Sequence, residues 1–208
     1  LEVIDKYGAD VARMHVHFLA GYEDNCQWTF AGIEGIVNFL DKVWKLPEII
    51  KGEQISPEHE VELNQLIKKA GEDYENLKLN TAISACMIFL KKIKEDGFIT
   101  KEELRQFLIV LNPLAPHITS EIYENVFKTD ILDSTWPKFD ESKLTKNEIE
   151  YPIQVNGKLK GTIMVDRKIS KDDLLEKIKA DGKVQIDFDN IKKVIFVPEK
   201  IINFIVWL

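Results

Sequence analysis

Asn156-Gly157 constrains this sequence more than any other pair. Both residues tolerate the positive φ that a two-residue hairpin turn needs. The run PIQVNGKLKGTIMV, residues 152–165, therefore reads as two antiparallel strands joined by that turn. Ile153 and Val155 enter the turn on one face, and strict alternation puts Leu159, Gly161, Ile163 and Val165 on the same face after it. The opposite face then carries Gln154, Asn156, Lys158, Lys160 and Thr162. A ribbon that is apolar on one side lies on a core and shows its other side to water or to a partner. Two lysines beside a turn suit a phosphate contact, and they equally serve to keep an edge strand from pairing with another chain.

The rest of the chain divides by period. Val11, Met14, Phe18 and Leu19 give residues 4–20 a helical stripe, and Ile33, Ile36, Val37, Leu40, Val43 and Trp44 do the same for 30–45, with a polar, loop-like stretch at 21–27 between them. Pro47 stops the second helix. Ser56-Pro57 reads as cap and first turn of a helix to about Asn76. Another helix runs from Asn80 to Lys94 and ends at Asp96-Gly97. Thr100-Lys101-Glu102-Glu103 is a capping box for a helix through Leu111. Pro113 and Pro116 break the pattern before a last helix, His117 to Phe127. The expected architecture is multidomain: an all-α antiparallel bundle of five to seven helices over 1–129, a polar linker over 130–149 containing Trp136-Pro137, and a small α+β domain over 150–208. In the last part the hairpin is followed by a helix opened at Ser170 and by strands at 192–198 and 201–206, giving the order β-β-α-β-β.

Charge is divided unequally. Residues 150–208 hold 11 Lys and Arg against 9 Asp and Glu, whereas residues 1–149 hold 17 against 26. The small C-terminal part is thus the candidate phosphate-binding end, and a helical part used for RNA must gather its cations on one side. No run approaches the roughly 18 apolar residues of a membrane span, and no basic-then-apolar signal pattern opens the chain. Cys26 and Cys86, 60 residues apart, fit a reduced, cytoplasmic chain. His15 and His17 point to different faces of a helix, and no ligand spacing for zinc is present. Gly157-Lys158 lacks the flanking residues of a phosphate loop. Acidic pairs such as Asp172-Asp173 and Glu102-Glu103 fall in first turns, where they complement the helix dipole. Asp10 and Arg13 are three apart and can pair. Trp28, Trp44 and Trp136 are candidate stacking platforms, Trp44 being expected in the core because it continues an apolar stripe. His117 follows Pro116 at a helix start and reads as a hydrogen-bonding core residue or a capping residue rather than a base.

Two sets of residues resemble one family. Val155-Asn156-Gly157-Lys158-Leu159-Lys160-Gly161 and the closing run Val194–Val197, Pro198-Glu199-Lys200, Ile201–Val206 are similar to the small C-terminal domain of bacterial-type leucyl-tRNA synthetases. Tyr7-Gly8-Ala9-Asp10 with Arg13, Trp28, Phe39-Leu40-x-x-Val43-Trp44 and Leu111-Asn112-Pro113-Leu114-Ala115-Pro116-His117 resemble the anticodon-binding helical domain of class I synthetases, including the isoleucine, valine and methionine enzymes. The C-terminal hairpin selects the leucine enzyme among them. The chain opens without Met and lacks both signature motifs of the adenylate-forming domain, so the resemblance implies a C-terminal portion with tRNA-facing surface and no catalytic residues or cofactor of its own. It implies ATP with Mg as cofactor of the full enzyme, leucine tRNA and the missing catalytic domain as partners, a monomer, and no membrane. The implied tRNA-binding residues are Lys158, Lys160, Lys192, Lys193 and Lys200, with Arg13, Lys42 and Lys45 in the helical part. One departure stands out: the family carries arginines where this chain has Asn38 and Lys42, which weakens the tRNA grip of that helix. The rival reading is a helical protein-interaction scaffold without an RNA role, which the acidity of residues 1–149 favours.

Overall fold

Gly8 divides the first expected helix. Its φ of 87° leaves helical space and separates α1 (Glu2–Tyr7) from α2 (Ala9–Leu19). A computed structural model describes residues 2–21, 27–145, 148–182, 184, 186 and 188–207. Cys26, most of the expected 21–27 loop, and Lys146 and Asn147 of the expected linker lie outside the described residues. The chain forms two compact units, residues 1–144 and 145–208.

The first unit holds seven α-helices among the described residues: α1, α2, α3 (Ile33–Trp44), α4 (Glu60–Glu75), α5 (Leu79–Asp96), α6 (Lys101–Leu111) and α7 (Pro116–Phe127). Their apolar stripes converge on one core that includes Met14, Ile36, Val43, Leu63, Ile67, Cys86, Phe89, Phe107 and Leu111. Each such Leu, Ile, Val, Phe or Met side chain contributes about 1.5–3 kcal/mol on burial. The capping box forms as expected, with Thr100 and Glu103 exchanging bonds at the start of α6. Two expectations fail. Trp44 is 51% exposed, because it lies one position, about 100°, beyond the buried Val43 on α3. Ser56 caps nothing: its backbone N–H and hydroxyl both donate to Glu103, and α4 starts only at Glu60.

The unit is not purely helical. Residues 49–53 run beside 99–102, joined by Lys51 N–H to the Ile99 carbonyl at 2.8 Å, Ile99 N–H to Ile49 at 3.2 Å, and Lys101 and Glu102 N–H to Gly52 and Glu53 at 3.0 Å. Residues 130–144, expected as linker, pack on the helices. Ile131 is buried, Tyr123 shares a hydrogen bond with Ser134, and Trp136 lies against Gly71 and edge-on to Tyr74. Asp140 N–H donates to Asn64 at 2.6 Å, and Lys143 pairs with Glu60.

In the second unit a mixed four-stranded sheet is ordered β2-β1-β4-β3, from β1 (Glu148–Val155), β2 (Lys158–Asp166), β3 (Ile191–Val197) and β4 (Ile201–Val206). The central pair β1–β4 is parallel and the outer pairs are antiparallel. Helix α8 (Lys171–Asp181), capped by Ser170 as expected, buries Leu174 and Ile178 with Tyr151, Ile153, Val165, Ile202 and Phe204.

The hairpin turn is the expected one, with Asn156 at φ 47° and Gly157 at 77°. The alternation beyond it is corrected by a bulge. Gln154 faces Leu159 but Ile153 faces Gly161, so Lys160 is an extra residue in β2. The two-residue turn itself sets Lys158 opposite Val155 and Leu159 opposite Gln154 on the outer face, where Leu159 is 62% exposed rather than in the core, and the bulge then returns Gly161, Ile163 and Val165 to the face of Ile153.

Candidate nucleic-acid interface

The strand directions decide which lysines of the second unit come together. β1 runs parallel to β4, so the Asn156-Gly157 turn lies at the end of the sheet where β4 finishes. β3 runs antiparallel to β4 and starts at that same end, with Ile191 opposite Val206. Lys158, Lys160, Lys192 and Lys193, all exposed, therefore line one end of the sheet, from the β2 edge to the β3 edge. Three interstrand spacings separate the edges, about 14 Å. Side chains fix this end. Asn156 exchanges hydrogen bonds with the Val206 backbone, at 3.0 and 3.4 Å, and the Asn203 side chain accepts from Gly157 N–H at 3.2 Å. Lys200 does not join the group. It lies in the β3–β4 turn at the opposite end, beside the Arg167–Glu199 ion pair.

Sequence reasoning missed Trp207. It is 64% exposed, with the Lys192 ammonium 4.1 Å from its ring centroid. Lys192 is the extra residue of a second bulge, between Ile191 and Lys193. A terminal tryptophan after an apolar strand carries no spacing signal that would single it out.

In the helical unit Asp10 gathers the motif residues. One carboxylate oxygen accepts from Arg13 at 2.8 Å and faces His117 Nδ1 at 2.7 Å; the other accepts from Ile118 N–H at 2.9 Å. Asp10 thus caps α7 from 108 residues away, on the positive end of its dipole. Of the two expected roles for His117 the core one fails, its side chain being 70% exposed, and it is hydrogen-bonded at the start of α7. Tyr7, Asp10, Trp44 and His117 line a hollow of about 550 Å³.

Arg13, Lys42 and Lys45 do not form one patch. Arg13 is committed to Asp10, whereas Lys42 borders a groove with α5 on the other flank of α3 from Trp44. Lys45 is exposed at the C-terminal end of α3, where a cation complements the helix dipole. Trp28 is half-exposed, edge-on to the buried His15, whose Nε2 lies 2.6 Å from the Thr29 carbonyl. Burial pushes the Cys86 thiol up to about 12, so it stays protonated and inert.

A family model for the anticodon-binding domain of tRNA ligases matches residues 60–176. The chain is 36% identical over 209 residues to a leucine–tRNA ligase of Alkaliphilus oremlandii (strain OhILAs), covering 99% of this chain and 26% of that protein. It is 35% identical over 215 residues to a leucine–tRNA ligase of Pelodictyon phaeoclathratiforme (strain DSM 5477 / BU-1), covering 98% and 27%. Among solved structures, the agnB2 LeuRS of Agrobacterium radiobacter K84, in a ternary complex with tRNA and LeuAMS, matches all of this chain and 30% of that one, with a TM-score of 0.68 and 25% identity. The chain spans about a quarter of the curated relatives it matches.

Proposed function

The chain belongs to the anticodon-binding domain family of tRNA ligases, and from that premise we propose that it is the tRNA-binding C-terminal portion of a leucine–tRNA ligase. The observation that carries this reading is that leucine–tRNA ligases match both units in one alignment, across 98% or more of the chain. The match includes the lysine-bearing hairpin and the closing strands, which a relative sharing only the helical unit would lack. In this reading the parent enzyme joins leucine to its tRNA with ATP and Mg. The catalytic domain lies elsewhere in the parent, and this portion supplies RNA-facing surface in a cytoplasmic, monomeric enzyme.

The main surface is the sheet end with Lys158, Lys160, Lys192 and Lys193, exposed cations on a small four-stranded sheet. Trp207 stands beside them with a face to offer a base. Arg13 braces the helix junction through Asp10, and Lys42 and Lys45 add cations from α3. Lys200, at the far end of the sheet, is a weaker contributor.

The test is binding of a leucine tRNA transcript by the 208-residue chain across a salt series. Removing one phosphate-binding cation flattens the slope of log K against log salt by about 0.7–0.9, so Lys158→Ala with Lys160→Ala should flatten it by roughly 1.5. Lys192→Ala with Lys193→Ala should do the same, and Lys200→Ala should change it least. Affinity and slope unaltered in both double variants would leave the lysines as edge protection and favour the scaffold reading.

A further inference from the structure

Helices α3 and α5 both pack on α2 rather than closely on each other, and the gap between them is a groove of about 390 Å³. Gly35 forms part of its α3 wall, and a Cβ placed there would touch nothing within 4 Å. The floor is Phe39 and Leu90, 4% and 3% exposed, with Met87. The rim is cationic: Lys42 from α3 and Lys91 and Lys94 from α5. Their spacing explains the convergence, since Gly35, Phe39 and Lys42 share one helical face, as do Met87, Leu90, Lys91 and Lys94.

Lys42 and Lys94 make no ion pair among the described residues. Among the described residues Lys91 reaches only Glu95, at 3.7 Å with both side chains exposed, a pair that contributes less than about 1 kcal/mol and yields readily to a stronger anion. Glu95 is the one acid among the described residues of the lining. Three cations against one acid invert the local charge of a unit in which acidic residues outnumber basic ones.

We propose that this α3–α5 groove is an RNA-backbone site in which Lys42, Lys91 and Lys94 hold phosphates while sugar edges lie over Phe39, Met87 and Leu90. It rests on the reading that this chain binds tRNA. Residues 35 to 42 span about 10 Å along α3, a short stretch of strand. Phe39 and Leu90 expose so little surface that the floor offers an apolar partner helix little area to bury. Charge must carry the affinity, and phosphates supply it at regular spacing.

The experiment pairs lysine acetylation footprinting of the wild-type chain, with and without leucine tRNA, with binding of Lys91→Ala/Lys94→Ala across a salt series. Lys91 and Lys94 should be shielded from acetylation by tRNA. The double variant should lose about tenfold in affinity at fixed salt and flatten the salt slope by roughly 1.5. Both lysines are exposed, so its circular dichroism and melting should match wild type. Wild-type binding with neither shielding nor a change in slope overturns the groove and leaves the family reading standing. No tRNA binding by the wild-type chain at any salt overturns both. A Glu-rich amphipathic peptide that shields these lysines where tRNA does not would replace RNA by a protein partner.

Discussion

Glu103 organises more of the helical unit than any other single side chain described. It accepts from Ser56 N–H and hydroxyl at 2.7 and 2.8 Å, from Thr100 N–H at 2.8 Å, and faces His59 Nδ1 at 2.9 Å. His59 is fully buried and bridges onward to Asp96, itself paired with Lys92. Burial alone would raise the Glu103 carboxyl, but these bonds outweigh it and hold the group below the ordinary glutamate value. A depressed folded value means the stabilisation is complete above the unfolded value of about 4.3 and is lost as pH falls through the lower folded value. Glu103→Gln should therefore cost about 3 kcal/mol at neutral pH, read by denaturant unfolding, and flatten the acid limb of the stability profile. An unchanged acid limb would locate the acid sensitivity elsewhere. Asp10→Ala should cost about 1–2 kcal/mol by removing the cap, with faster hydrogen exchange at Ile118, whereas an effect confined to Arg13 would point to the ion pair alone. The capping half of the Glu103 arrangement is legible in Thr100-x-x-Glu103. The half that recruits Ser56 and His59 is not, because 47 and 44 residues separate the partners.

At the scale of elements, two segments behave otherwise than their composition suggests. Residues 130–144 are polar and proline-bearing, as a linker would be. Yet they dock through Ile131, Trp136 and the Asp140–Asn64 bond, so limited proteolysis should leave Asp133–Lys143 uncut while the helices remain folded. Trp136→Ala should open the segment to cleavage, and ready cutting of wild type there would contradict the docking. In β2 the bulge at Lys160 re-aims every later side chain, and it brings Gly161 against Val184: a Cβ at Gly161 would meet Val184 Cγ2 at 2.7 Å. Gly161→Ala should cost about 1–2 kcal/mol, and Val184→Ala in the same chain should recover part of it by removing the obstructing methyl groups. Additive destabilisation in the double variant would place the strain in the backbone instead.

At the scale of the whole molecule, the features described are surfaces: the lysine-bearing end of the sheet and the groove between α3 and α5. Its sequence contains neither signature motif of adenylate formation, so the purified 208-residue chain should show no leucine-dependent pyrophosphate exchange above blank. Exchange above blank would overturn the proposal that it is a non-catalytic portion. The sequence by itself determined the hairpin turn, the capped starts of α6 and α8 and the β-β-α-β-β order, because each depends on residues within a few positions of one another. The family resemblance was legible for the same reason, being carried by short contiguous runs. Tertiary structure alone decided that Asp10 caps α7, that Trp44 faces a hollow, and that residues 130–144 are docked. It also decided that Lys158, Lys160, Lys192 and Lys193 share one end of the sheet without Lys200. Those outcomes depend on strand direction, on a one-residue bulge and on contacts between residues up to 108 positions apart, and local periodicity encodes none of them.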